Sequence, residues 1–172
     1  MILDMRTKKL ILTAILTALA LVAFTIEAAI PPLTPIYGIK LGLANIFTLF
    51  ALYALGKRQA AEVLILRITL GSIFTGQLVS FIYSLSGGLL SFAFMLLLKR
   101  FFPLKQLWVL SAICAIMHNV GQFIAAVILT STLELAYYLP VLVISGTIAG
   151  VFTGLCAQLV LIRLQKYFSA KL

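Results

Sequence analysis

Basic residues punctuate this chain at every second break in an otherwise apolar sequence, and no other feature limits its folding as severely. Apolar stretches run from Leu10 to Ile30, Leu41 to Leu55, Ala60 to Ile82, Leu89 to Leu98, Leu107 to Leu129 and Leu139 to Leu161. Eleven of the thirteen Lys and Arg residues fall in alternate gaps: Arg6, Lys8 and Lys9; Lys57 and Arg58; Lys99, Arg100 and Lys105; Arg163, Lys166 and Lys171. The other gaps hold only Lys40, and Arg67 lies inside a stretch. A helix crossing a bilayer needs roughly 20 apolar residues at about 1.5 Å each, and Lys and Arg beside span ends are retained in the cytoplasm. The pattern therefore predicts an all-α membrane protein, a six-transmembrane-helix bundle with both termini cytoplasmic.

Composition supports the same expectation. With 63% hydrophobic residues, 10% charged residues and a mean hydropathy of +1.20, the chain has too little polar surface to cover a soluble globule. Six spans consume nearly all of its length, so residues 1–172 are expected to form a single integral membrane domain. The net charge of +9 fits loop ends against anionic headgroups, without nucleic acid as a partner. Cys114 and Cys156 lie within apolar spans, lack CxxC spacing and are expected to pack as small hydrophobes, with no metal bound. The basic start resembles a signal peptide, but Ile30-Pro31-Pro32 replaces a small-residue cleavage site, so the first span is expected to stay in the mature protein.

Punctuation along the chain sets further expectations. Pro31-Pro32 ends the first span and opens a long outer segment to Lys40. The second span is short, so it is either embedded in the bundle or begins deep in the membrane. Ser84-Leu-Ser-Gly-Gly88 reads as the outer turn between spans three and four, and Thr130 to Tyr138 as the last outer loop. The two three-span halves share no evident pattern.

Polar groups inside spans are costly and usually face a cavity, a partner or one another. His118 and Gln122 stand one turn apart with Asn119 beside them, and an imidazole and two amides clustered there suit substrate contact or interhelical hydrogen bonding. Asn45, Gln77 and Tyr83 are expected to line the same cavity, with Lys40 and Glu27 near its mouth. Arg67 has three open readings: snorkelling to the headgroups, pairing with Glu62 or a carbonyl, or holding an anionic substrate group. Small residues four apart let helix backbones approach closely. Gly146, Gly150 and Gly154 suit packing within the bundle, Gly38 and Gly42 open span two, and Ala14 with Ala18 offers a flat face for docking another membrane subunit.

Catalysis is not expected. The four acids, Asp4, Glu27, Glu62 and Glu134, are scattered, and no phosphate-binding loop, His-Glu-x-x-His or Ser-His-acid set is present. No cofactor is implied, and ATP-driven transport by this chain alone is excluded.

Four motifs in order, Gly38-Ile-Lys-Leu-Gly-Leu-Ala-Asn45, Arg67-Ile-Thr-Leu-Gly71 with Phe74-Thr-Gly76, Tyr83-Ser-Leu-Ser-Gly-Gly88 and His118-Asn-Val-Gly-Gln122, resemble the Gx transporter family, also labelled heptaprenyl diphosphate synthase component I. With the basic start leading into Thr13-Ala-Ile-Leu-Thr-Ala-Leu-Ala20, the chain also resembles the substrate-binding (S) components of energy-coupling factor transporters. The resemblance implies a multi-pass protein of the bacterial cytoplasmic membrane that captures a vitamin or similar small-molecule substrate at its outer face. It further implies docking through Ala14 and Ala18 onto a coupling transmembrane subunit driven by two ATPase subunits. Two alternatives stay open: a non-catalytic membrane component of a prenyl diphosphate synthase, and a stand-alone proton-coupled carrier using His118 or Arg67. Diphosphate chemistry uses Asp-rich Mg²⁺ sites, and Asp4 is this chain's single aspartate.

Overall fold

The computed structural model describes residues 4–29 and 42–169; Gly38 and Lys40, with the rest of the outer segment, lie outside the described residues. Among the described residues six α-helices follow one another: α1 (Met5–Ala29), α2 (Asn45–Ala54), α3 (Lys57–Thr75), α4 (Leu78–Leu98), α5 (Leu107–Thr130) and α6 (Leu139–Ser169), with 3₁₀ turns at Leu104–Gln106 and Leu133–Tyr138. No strand occurs among the described residues. Among the described residues four segments are long and apolar enough to cross a membrane: Met5–Glu27, Leu78–Leu98, Leu104–Thr130 and Leu133–Gln165. α3 carries Arg67 within its apolar length, and α2, at ten residues, rises only about 15 Å.

Helix faces divide cleanly between bundle and lipid. On α1 the buried positions are Thr13, Leu16, Thr17, Ala20, Phe24 and Glu27, a stripe of helical spacing that packs on α2 and α3, whereas Ile15, Leu19, Val22 and Ile26 face outward. On α6 the outward row is Val141, Ile144, Ile148, Phe152, Leu155 and Leu159. The opposite face of α6 holds Gly146, Gly150 and Gly154, and a Cβ there would sit 2.6 Å from the Asn119 amide nitrogen, the Ala112 Cα and the Trp108 Cα respectively. These glycines thus serve close packing of α6 on α5, as their spacing suggested.

The break between α3 and α4 corrects the sequence reading. α3 stops at Thr75, where Gly76 adopts a left-handed backbone (φ 63°) and caps the helix, and α4 begins at Leu78 and runs straight through Ser84 to Gly88. The Gly87-Gly88 pair is a packing surface within α4 rather than a turn. The Cβ position of Gly87 is 2.7 Å from the His118 carbonyl oxygen, and that of Gly88 is 2.9 Å from Ile68 Cδ1. Glycine costs a helix about 1 kcal/mol in water; in lipid an unpaired backbone is costlier still, so the helix persists and the missing side chains admit α5 and α3.

α2 is embedded among the other helices, with Thr48, Leu49, Ala51 and Leu52 buried. Both of its ends are held by charged side chains of opposite sign. The Glu27 carboxylate accepts hydrogen bonds from the backbone N–H of Gly42 and, at 3.1 Å, of Leu43, just before the first turn. At the other end Lys99 Nζ donates to the Leu52 carbonyl oxygen at 2.7 Å and lies over the Tyr53 ring. Burial, with Lys57 nearby, lowers the Lys99 pKa from its ordinary value. A negative group at a helix start and a positive one at its end complement the helix dipole, each contributing up to about 2 kcal/mol where partly buried. This explains how so short a helix holds its place away from water.

Candidate functional site

Near the middle of α3 and α5, at the depth where α2 begins, polar side chains from four segments converge. Arg67 is 3% exposed, which removes the snorkelling reading, and its Nη2 donates to Asn45 Oδ1 at 2.5 Å. Glu62, the other suggested partner, instead takes a surface hydrogen bond from Arg58 at 3.0 Å. The opposite charge for Arg67 comes from Glu27, close enough to act on it electrostatically. An isolated ion here would carry a desolvation penalty of several kcal/mol, which only the pairing and its hydrogen bonds offset. Glu27 was legible as an acid in the last turn of an apolar span; the Gly42 and Leu43 amides bind it, and Lys40, placed beside it at the cavity mouth by the sequence, lies outside the described residues.

His118 sits against this pair. A Cβ on Gly42 would lie 2.9 Å from both the Asn45 amide nitrogen and the His118 Cδ2, and Gly42 has φ 78°, so space and backbone both demand glycine there. The far edge of the imidazole meets α4, with Cε1 3.0 Å from the Gly87 Cβ position. The ring is thus clamped between the entry to α2 and the glycine pair of α4, and it faces the bundle rather than lipid.

The other predicted site residues divide. Asn119 donates to the Leu142 carbonyl oxygen at 2.6 Å and so ties α5 to α6 across Gly146. Gln122 is fully buried one turn above His118, with its Cγ 2.9 Å from the Gly87 Cβ position. Tyr83 packs with Ala125, Ala126 and Leu142 in a separate apolar cluster nearer the far ends of α4 and α5. Gln77 is exposed in the α3–α4 turn and is not brought to the polar centre, because α3 stops at Thr75, two residues before it.

Hydrogen-bonding capacity remains at the centre. Arg67 Nε, Asn45 Nδ2, Thr48 Oγ1, His118 Nδ1 and Asn119 Oδ1 are buried without a partner among the described residues. Leaving such a group unsatisfied costs about 1–3 kcal/mol, more where charge is involved. A narrow cavity between α2, α4, α5 and α6 touches Gly42, Asn45, Ser111 and Thr153 and has room for about one water molecule. Among the described residues no three His, Cys, Asp or Glu side chains gather into a metal site.

Several long apolar helices around a buried polar centre define a multi-pass helical membrane protein. The chain belongs to the family described as heptaprenyl diphosphate synthase component I, whose model matches residues 16–160, the family its four motifs resemble. No curated protein and no solved structure matches the chain.

Proposed function

We propose that the protein is the substrate-binding membrane subunit of an uptake system, similar to the S components of energy-coupling factor transporters and energised by separate ATPase and coupling subunits. On this reading residues 1–172 form one integral domain of the bacterial cytoplasmic membrane. All six helices are embedded, both termini are cytoplasmic, and the cargo is a small micronutrient. The observation that carries the proposal is the buried constellation of Arg67, Asn45 and His118, which retains unused hydrogen-bonding capacity inside an apolar bundle. Structural polar groups are ordinarily satisfied in full, whereas an apolar site with a few converging polar groups is what a small molecule requires.

The docking side follows from α1. Ala14 and Ala18 are exposed on its outward face, beside Ile11 and Ile15, while Thr13, Thr17 and Ala20 turn into the bundle. A partner helix can approach the α1 backbone closely there. Replacing both alanines by Leu is expected to abolish co-purification of the coupling subunit and to reduce uptake in the reconstituted complex at least about tenfold, the loss of roughly 1.4 kcal/mol or more of association energy. Both positions face outward, so the thermal midpoint of the isolated subunit is expected to stay unchanged. Full uptake by the double variant would disprove the docking face.

The family's description favours a second reading, a non-catalytic membrane component of a prenyl diphosphate synthase. With Asp4 as its single aspartate, the chain would depend on another subunit for Mg²⁺-diphosphate chemistry. Prenyl-chain elongation that requires this protein, with no ATPase or coupling subunit present, would decide for that reading against uptake.

A further inference from the structure

Among the described residues, buried donors without an acceptor gather where α2 begins. The backbone N–H groups of Gly42 and Leu43 both point at one carboxylate, that of Glu27, one to each oxygen. Beside them Arg67 spends one N–H on Asn45 Oδ1, while Arg67 Nε and Asn45 Nδ2, each on a side chain more than nine-tenths buried, lack an acceptor. Asn45 also borders the narrow cavity. Two adjacent backbone amides of the segment leading into α2, a guanidinium N–H and a primary amide form a donor set that matches the planar oxygen pair of a carboxylate.

We propose that the start of α2 is a carboxylate seat, at which the carboxylate of a captured monocarboxylic acid takes the place of Glu27 on the Gly42 and Leu43 amides and meets the spare donors of Arg67 and Asn45. This rests on the capture reading above and names the chemical class of its cargo. Glu27 is the internal stand-in for that group and leaves the seat as the ligand enters. Charge selects the class: Arg67 is the buried cation among the described residues, so it balances one negative charge. A diphosphate would leave further negative charge uncompensated in a place shielded from water.

The test replaces Glu27 by Ala in the full chain held in lipid nanodiscs and follows thermal unfolding with acetate, acetamide or inorganic diphosphate at equal ionic strength. About 100 mM acetate is expected to raise Tm of the variant by about 5 °C, with little effect on wild type, where Glu27 already fills the seat. Acetamide and diphosphate are expected to leave Tm unchanged. If the Ala variant does not fold with or without acetate, Glu27→Gln replaces it, and acetate is expected to stabilise that variant more than wild type. No acetate effect in the folded variant overturns the seat, and a diphosphate effect exceeding that of acetate overturns the single-charge assignment. Mass spectrometry of the molecule retained by wild type in mild detergent separates this inference from the reading it rests on. A carboxylic acid supports both. A neutral molecule overturns the carboxylate class while capture stands, and acetate rescue without any uptake by the reconstituted complex overturns capture while the seat stands.

Discussion

Replacing Arg67 by Met is expected to destabilise the protein by about 3–5 kcal/mol, the usual cost of leaving a buried charge without its compensating group. Methionine fills similar space, so the loss is electrostatic and not a cavity effect. The Glu27 carboxylate would lose its compensating charge and Asn45 Oδ1 its donor, both away from water. Arg58→Met is the matched control, since its ion pair with Glu62 lies on a side chain 83% exposed and such pairs contribute little. Unfolding midpoints in detergent or nanodiscs measure both. If the two substitutions prove equally mild, Arg67 is not the counter-charge of the polar centre.

Gly121→Ala is expected to cost about 2 kcal/mol or more, although it adds one methyl group in a helix, where alanine is otherwise the better residue. The added Cβ would stand 2.7 Å from the Ser86 carbonyl oxygen and 2.8 Å from the Gly87 Cα, so it meets backbone that cannot rotate aside. α4 and α5 would have to separate, weakening the 2.6 Å hydrogen bond from Ser86 Oγ to the Gly121 carbonyl oxygen and loosening the clamp on His118. Gly88→Ala supplies the comparison: its Cβ would meet the ends of the Ile68 and Leu64 side chains, which can shift. A smaller loss of thermal stability is expected there. The reverse order would show that the α4–α5 contact is more yielding than its geometry implies.

Much of the helix pattern was legible because hydrocarbon imposes length and polarity directly. The stretches starting at Leu107 and Leu139 begin where α5 and α6 begin, and Pro31-Pro32 follows closely on the end of α1. The α3–α4 break was misread because Gly76 and the Gly87-Gly88 pair offer the same local permission to turn. Which one turns is decided by the partner: α5 needs the close approach at Gly87, so that segment stays helical, and the chain reverses at Gly76. Arg67, His118 and Asn45 stood out from the start, since polar groups in apolar runs are conspicuous. Gln77 falls in the same set because the apolar stretch Ala60 to Ile82 continues through residues that leave the helix.

By itself the amino-acid order determined the solvent, the helical class and which side chains carry too much polarity to face lipid. Those properties follow from composition and local spacing, which a chain possesses before any long-range contact forms. Only the tertiary structure decided that Glu27 holds the chain just before α2, that Arg67 pairs with Asn45, and that Asn119 ties α5 to α6. Each of these contacts joins residues far apart in sequence, and its existence depends on how closely glycine-bearing helix faces approach, a distance that no local pattern encodes.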